Sequence, residues 1–411
     1  MASSLIELEQ ARDIVLEGSR TLDSEDVGLE DALGRVLAEE ILAADAVPSF
    51  DNSAMDGFAI RADDVGEADR DAPATLELVG ESRAGLPAQA PVGRGQAIAI
   101  STGAMMPEGA DAVIPVEDTA QANGTVSVFA QPRPGRWVRR AGEDIIAGAS
   151  VLTPGTRLGP AELGVLASLG RGSAICTRRP RVSVLTTGDE LLAPGAALSP
   201  GAVRDASAYS IPALARFAGA EVVSVARAPD REQAIEQAIA DALGSDVVIV
   251  CGGVSVGEHD HVKGALAALD VREHFSAIAL RPGKPTWFGV HGQTLVFALP
   301  GNPVSSMVTF ILLAGPALRA LSGAPPQTLA TTATLVSDYE KTPGRAHAVR
   351  CRVRLRESGW EAEPTGPQGS HVLTSMVGAQ ALAIIPSASG SLRAGEPVQI
   401  ELLVPWTGEQ P

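Results

Sequence analysis

The sequence predicts a multidomain chain of α/β plus β class. Three observations carry that prediction. Apolar runs alternate with helical stretches from Arg181 to Gly323. Short apolar runs separated by Gly, Pro, Asn and Asp fill Phe58 to Asp144. A second β-rich tract follows the break at Gly323-Ala324-Pro325-Pro326. The chain has 411 residues, 45% of them hydrophobic, enough for two to four domains with real cores.

The elements are read in chain order. Ser4 to Leu16 carries apolar residues at helical spacing, with Ser3 or Ser4 as N-cap, and Leu29 to Ala44 reads as a second helix. The runs Thr75–Val79, Gln96–Ile100, Ala112–Val116 and Val126–Phe129 read as strands. Ile145 to Leu169 returns to helix after Pro160, which suggests a β module inserted into a helical one. In the next unit the strands Val182–Leu185, Glu221–Val225, Asp246–Val250 and Thr294–Leu299 alternate with helices at Ser207–Ala218, Arg231–Leu243, His261–Leu269 and Val304–Leu321. That alternation predicts a parallel, layered sheet. Leu329–Ser337, Ala348–Leu355, Trp360–Pro364, Ala381–Ile385 and Val398–Val404 read as a small antiparallel β module. The expected domains are a helical N-terminal and linking domain (1–45 and 145–178), an inserted mainly β domain (46–144), a parallel α/β domain (179–326) and a β-barrel-like C-terminal domain (327–411).

Charge and cysteine content restrict the function. The formal charge is −17, which disfavours nucleic acid and anionic membranes as partners. The three cysteines, Cys176, Cys251 and Cys351, are far apart and lack metal-ligand spacing, as in a reducing cytoplasm. Glu7, Glu9, Arg12 and Asp13 stand where a signal peptide needs an apolar core, and no uninterrupted apolar run is long enough to span a bilayer. A cytoplasmic protein without a membrane partner is expected.

Four glycine-bearing segments follow apolar runs between Val182 and Ser306. They are Thr186-Thr187-Gly188-Asp189-Glu190, Cys251 to Asp260, Arg281-Pro282-Gly283-Lys284-Pro285, and Leu299-Pro300-Gly301-Asn302-Pro303-Val304-Ser305-Ser306. Loops at the carboxyl ends of strands converge on one crevice in an open α/β sheet. Glycine lets backbone N–H groups approach a phosphate or other oxyanion. Alone, Gly252-Gly253 marks a tight turn, and Ser255, Glu258 and Asp260 read as a helix cap. With Thr186, Thr187, Asp189 and Glu190 at another strand end, the balance moves to ligand or Mg²⁺ binding. His259 and His261 read as exposed loop histidines, and no histidine is given a catalytic role. Lysine occurs only at 263, 284 and 341, so Lys284 inside Pro-Gly-Lys-Pro suggests a required ammonium. Asn302 reads as a helix cap, within a rigid loop equally suited to an oxyanion or pterin.

These segments resemble the molybdopterin molybdenumtransferase family, which includes bacterial MoeA and the gephyrin E domain. The matching strings run in order over nearly the whole chain. They include Phe50 to Ala59, Thr102-Gly103-Ala104, Pro107 to Val113, Gly142-Glu143-Asp144-Ile145, Thr187 to Leu191, Gly252 to Gly257 with Asp260, Pro282-Gly283-Lys284-Pro285, Leu299 to Ser305, and Gly369-Ser370-His371 with Ser375. The resemblance implies an elongated homodimer of four-domain subunits, in which the α/β domain is the molybdopterin-binding fold. It implies an enzyme that takes adenylylated molybdopterin and molybdate, inserts molybdenum at the dithiolene and releases AMP with Mg²⁺. The molybdopterin adenylyltransferase and molybdoenzyme maturation proteins are implied partners.

Residue by residue, the resemblance makes Glu190 and Asp260 metal-proximal acids and puts Ser255 on the same loop. Thr187, Gly188, Gly252, Gly253 and Asp230 fall in the substrate pocket. Lys284 and Arg281 fall at the anion site, with Pro300 and Pro303 on the rigid loop beside it. Asp56, Thr102 and Asp144 correspond to groups approaching from the partner subunit, and Arg350 and Ser375 to contributors to the molybdate site. Departures are Arg281 where lysine is common, Ala277 where some members have a further lysine, Phe58 for a frequent tyrosine, and Asp205-Ala206-Ser207 where Asp-Ser-Asn or Asp-Thr-Asn is frequent. The rival readings are a non-enzymatic scaffold and an adenylyltransferase that makes the adenylate. The segments Phe50–Ala59 and Gly142–Ile145 favour insertion over the latter, which resembles the α/β unit alone.

Overall fold

A computed structural model of the protein describes residues 5–254, 261–327 and 329–403. Its centre is a six-stranded sheet. Arg181–Thr187 lies between Glu221–Ala228 and Val247–Cys251, and all three run parallel. Thr294–Leu299 continues the parallel order beside Val247–Cys251. All residues of Val247–Cys251 and of Thr294–Leu299 are buried, as two-sided cover requires. The expected all-parallel sheet is corrected at one side. Trp287–His291 pairs antiparallel with Thr294–Leu299, and Arg272–Phe275 pairs antiparallel with Trp287–His291. A two-residue turn at Gly292-Gln293, with Gly292 at φ 58°, joins the first two as a hairpin.

One face of the sheet carries Glu232–Ala242 and His261–Ala268. The other carries Ser207–Phe217 and a continuous helical rod over residues 303–321. That rod contains a π-helical turn, Phe310–Ala314. Arg12 Nε donates to the Leu312 carbonyl in this turn at 3.2 Å, and Arg12 Nη2 pairs with Glu401 at 2.6 Å. The sequence suggested no membrane-length apolar run, yet the Pro303–Leu321 rod has the length and composition to span one, with a mean hydropathy of 1.6. It is 78% buried in the protein, as a core helix is.

The N-terminal helix is Leu8–Gly18, and its Leu8, Ala11 and Val15 pack into the core of the α/β layer. Leu166 of the helix Pro160–Ser168, which the sequence suggested as a packing partner of the first helices, belongs to a different core. Leu29 to Ala44 is not a helix. Gly34 takes φ 76°, and the chain forms the short strands Val36–Leu37 and Ile41–Leu42. These pair with Ser173–Thr177 and Ser150–Leu152, so Ile145 to Leu152 is not helical either. The apolar residues that gave helical spacing (Leu37 and Ile41, with Ala32) instead fill a small core with Leu158, Leu166 and Cys176. Long-range pairing overrides local period here.

Between these segments lies a six-stranded sheet in the order Ala112–Pro115, Gly57–Ile60, Gln96–Ile100, Ala74–Ser82, Thr125–Val128, Thr119–Ala122. Gly57–Ile60, which the sequence hid inside a polar segment, is fully buried between two neighbours. After residue 329, five strands close into a barrel. Ala346–Arg356 pairs with both Gly359–Pro364 and Ala381–Ile385, and Ala330–Leu335 and Pro397–Leu402 complete the ring. One pair in it, Ala330–Leu335 with Gly359–Pro364, is parallel. The barrel-like expectation for this module holds, and Leu280–Arg281 adds to its edge.

Candidate functional site

Strand order reverses across Arg181–Thr187, because its two neighbours are reached by crossovers in opposite directions. Ligands bind outside the carboxyl ends of strands at such a point. A crevice of about 580 Å³ opens there. Thr187, Gly188 and Glu190 line it from one strand end, Gly252 and Gly253 from the next, and Pro300 and Pro303 from the third. Asp230 reaches it from the edge strand, where its backbone N–H donates to Asp189 Oδ1 at 3.1 Å.

Two features mark the floor as a binding surface. Thr187 Oγ1 is buried and has no hydrogen-bond partner among the described residues. A buried hydroxyl without a partner is costly, so a ligand atom is its natural complement. Gly252, at φ 104°, crosses directly above it. A Cβ there would lie 2.8 Å from the Thr187 carbonyl oxygen and 2.9 Å from Oγ1. Only glycine lets the second loop pass so close to the first. Gly252 N donates to the Leu299 carbonyl at 3.0 Å, which ties the second loop to the third. Ser306 Oγ donates to the Pro300 carbonyl at 2.6 Å and so fixes that third loop from below.

Sequence reasoning put three lining residues outside the candidate site, reading one of them, Asn302, as a helix cap. Asp205 is 2% exposed. It accepts from Thr186 Oγ1 at 2.6 Å and from Ala208 N at 2.9 Å, with Arg227 Nε 3.5 Å away. It therefore holds both the first strand end and the start of the helix Ser207–Phe217; the Asp205-Ala206-Ser207 departure was its only signal. Asn302 does not cap its helix with its side chain; its Nδ2 donates to Ser370 Oγ at 3.2 Å, across to the barrel module. His371, from the same barrel loop, lines the crevice. Cys251 also lines it, but burial, reinforced by Asp205, pushes its thiol far up, so it is a neutral wall.

The cations expected at the anion site are not in this crevice. Arg281 and Lys284 line a second cavity, of about 680 Å³, while Pro285 lines the first. The turn at Gly283–Pro285 thus separates the two. Arg350 is 1% exposed, and burial lowers its pKa. Its Nε donates to Ser375 Oγ at 3.1 Å, Nη2 to the Gly369 carbonyl at 3.3 Å and Nη1 to the Ala348 carbonyl at 3.4 Å. Arg350 and Ser375 therefore brace the loop that carries Ser370 and His371. Ser255 and Asp260 lie outside the described residues. Asp56 Oδ1 accepts from Thr102 N at 2.7 Å, so those two form one unit in the inserted sheet, and Asp144 N donates to the Val47 carbonyl at 3.1 Å. Asp56, Thr102 and Asp144 do not line the crevice of their own chain.

Among the described residues no group of three or more His, Cys, Asp or Glu side chains forms a metal cluster. The acids that line the crevice, Glu190, Asp205 and Asp230, with the Thr187 hydroxyl, are hard oxygen donors. Such a sparse oxygen set fits Mg²⁺, which keeps water and substrate phosphate in its shell, rather than zinc.

Comparison with known proteins agrees over the full length. Residues 6–170 match the family described as the MoeA N-terminal region (domain I and II). Residues 183–320 match the probable molybdopterin binding domain, and 332–403 the MoeA C-terminal region (domain IV). The chain is 38% identical to the molybdopterin molybdenumtransferase of Haemophilus influenzae, over 97% of this chain and 98% of that one. It is 35% identical to that of Bacillus subtilis, over 94% and 92%. The crystal structure of the molybdopterin biosynthesis MoeA protein from Pyrococcus horikoshii superimposes with a TM-score of 0.83 at 30% identity, covering 97% of this chain and 100% of that one. The ordered loops, the three matched regions and relatives of equal length lead to one conclusion: the chain belongs to the molybdopterin molybdenumtransferase family.

Proposed function

We propose that this protein inserts molybdenum from molybdate into adenylylated molybdopterin and releases AMP, as a cytoplasmic homodimer. The observation that carries the reading is the floor of the crevice. A Thr187 hydroxyl with no partner among the described residues lies beneath Gly252 and Gly253, which add no side chain to the floor. That surface suits a phosphorylated ligand.

The residues divide the work as follows. Gly253 holds a phosphate oxygen through its backbone N–H group, Gly188 and Gly252 let the ligand approach the loops closely, and Thr187 adds its hydroxyl. Asp230 and Asp205 set the crevice wall. Glu190 and Asp260 hold Mg²⁺, which when bound neutralises charge on the phosphoanhydride and improves AMP as a leaving group. Lys284 and Arg281, backed by Arg350 and Ser375, hold molybdate beside the turn that separates the two cavities. Pro300 and Pro303 keep their loop stiff beside the adenylylated pterin, and Ser255 contributes to binding it. Asp56, Thr102 and Asp144 close the site from the partner subunit. Much of the rate gain is positioning of an oxyanion against the dithiolene sulfurs.

Molybdate-dependent AMP release from adenylylated molybdopterin, with and without Mg²⁺, tests the reading. Release that depends on both supports it. Adenylate formation from molybdopterin and ATP, with no molybdate-dependent release, would replace it with an adenylyltransferase.

A further inference from the structure

The second cavity has its own composition. Arg281, Lys284, Lys341 and Arg345 line it, with Glu340 as the one carboxylate and His347 in its wall. In a chain of net charge −17 this is a local excess of cations. Among the described residues, the side chains of Arg281, Lys284 and Arg345 make no ion pair or hydrogen bond. Lys341 is different, since its Nζ donates to the carbonyls of Ser389 at 2.6 Å and Ser387 at 3.2 Å. Three partnerless cations converge on one space from two places in the sequence, because Leu280–Arg281 pairs with the barrel strand at Ala346 and His347.

His347 is 4% exposed and stands directly opposite Arg281 across that pairing. Its Nδ1 lies 3.1 Å from the Tyr339 hydroxyl, and the two rings meet edge-on at 5.8 Å. Its Nε2 makes no hydrogen bond among the described residues, and the side chain lines the cavity. Burial, then the charges of Arg281, Lys341 and Arg345, lower its pKa to about 4. Lys284 and Glu340 are the other charged groups facing the space. The ring is therefore neutral near neutral pH, kept so first by burial and then by the surrounding positive charge. A dianion entering the cavity reverses that field and offers Nε2 an acceptor, both of which favour the protonated ring. Tyr339 can donate to the neutral ring or accept from the protonated one, so the pair stays bonded in either state.

We propose that this cavity receives a tetrahedral oxyanion dianion through Arg281, Lys284 and Arg345, and that His347 takes up a proton as the anion seats. The source is molybdate, an assignment that rests on the function proposed above; a phosphate monoester such as AMP presents the same chemistry. Arg345 and His347 thereby become binding residues that the sequence did not single out.

Calorimetric titration of the full chain with sodium molybdate, in buffers of different ionisation enthalpy, reads affinity and protons together. The expected result is proton uptake on binding molybdate that grows as pH falls below neutral, up to about one proton per anion, with affinity falling as pH rises by up to about tenfold per unit. His347→Gln should still bind the anion but lose both the uptake and the slope. Arg345→Ala should bind about tenfold or more weakly, with Arg345→Lys restoring part of the loss and circular dichroism checking the fold. Absence of proton uptake in the wild type, an unchanged uptake in His347→Gln, or full affinity in Arg345→Ala each overturns the proposal. Titration with AMP alone separates the sources: Arg345-dependent binding of AMP without binding of molybdate also overturns it. AMP release is a separate readout. A protein that takes up molybdate with a proton but never releases AMP loses the insertase reading and keeps this site. If Arg345→Ala releases AMP with an unaltered molybdate dependence, this site is lost and the insertase reading stands.

Discussion

Gly252 sets the distance between two loops that line one crevice. Its φ of 104° and the 2.8 Å approach of a built Cβ to the Thr187 carbonyl leave no room for a side chain. Gly252→Ala is expected to weaken binding of adenylylated molybdopterin by about tenfold or more and to cost roughly 1–3 kcal/mol of stability, by strain at a positive φ. Fluorescence titration and urea denaturation check the two parts. Thr187→Val removes the orphan hydroxyl at nearly constant volume. Ligand affinity should fall while unliganded stability holds or rises, because a buried unpartnered donor is lost. His347 gives a pH signature without any ligand. Its pKa is about 4 in the folded chain against an ordinary 6.5, so the unfolded chain binds the proton first. Stability of the free protein should therefore fall as pH drops from the ordinary value toward the folded one, and His347→Gln should flatten that part of the curve. The carboxylates and Arg350 were visible as types in the sequence. That Arg350 spends its N–H groups on Ser375, Gly369 and Ala348 was not, since those partners are set by the barrel's closure.

Among the elements, the strands that read best were those with two-sided burial. Gln96–Ile100, Thr294–Leu299 and Ala381–Ile385 have the boundaries their apolar runs suggest. The Leu29–Ala44 stretch misled because its apolar spacing fits a helix, while Gly34 and pairing with two distant strands impose a different path. The Trp287–His291 strand was missed for a related reason: its partner is a hairpin neighbour, and the Gly292-Gln293 turn reads as an ordinary loop. Gly57 shows the inserted sheet at its tightest. A Cβ at that position would fall 1.9 Å from the Ile114 carbonyl oxygen. Gly57→Ala should part the strands Gly57–Ile60 and Ala112–Pro115, cost about 3 kcal/mol or more, and displace the adjoining Asp56. Chemical denaturation measures the first effect, and activity at temperatures where the variant stays folded measures the second.

For the whole molecule the decisive question is which chain completes the crevice. Asp56 and Thr102 are held together in the inserted sheet, and neither lines the crevice of its own chain. If the protein is the proposed homodimer and its subunits share their sites, Asp56→Asn and Glu190→Gln are each inactive alone. Refolded as a mixture, they should recover about a quarter of wild-type activity, because half the dimers are mixed and each carries one intact site. No recovery, with mixed dimers demonstrated by mass spectrometry, would mean that each subunit supplies its own Asp56. The Arg12–Glu401 pair and the Asn302–Ser370 contact show how N-terminal helix, α/β layer and barrel are joined within one chain. Asn302→Ala should loosen the barrel loop over the crevice and raise KM with little change in stability, since that contact is exposed.

The sequence by itself determined the menu of elements and the identity of the loops that form the crevice. Apolar period and turn chemistry are local properties, so strands ending in Thr187-Gly188, Cys251-Gly252 and Leu299-Pro300 could be read residue by residue. Only the tertiary structure decided that Lys284 and Pro285 face different cavities, that Arg281 meets His347, and that the Thr187 hydroxyl has no partner among the described residues. Charge coupling and desolvation depend on distance and burial across the fold, and spacing along the chain carries neither.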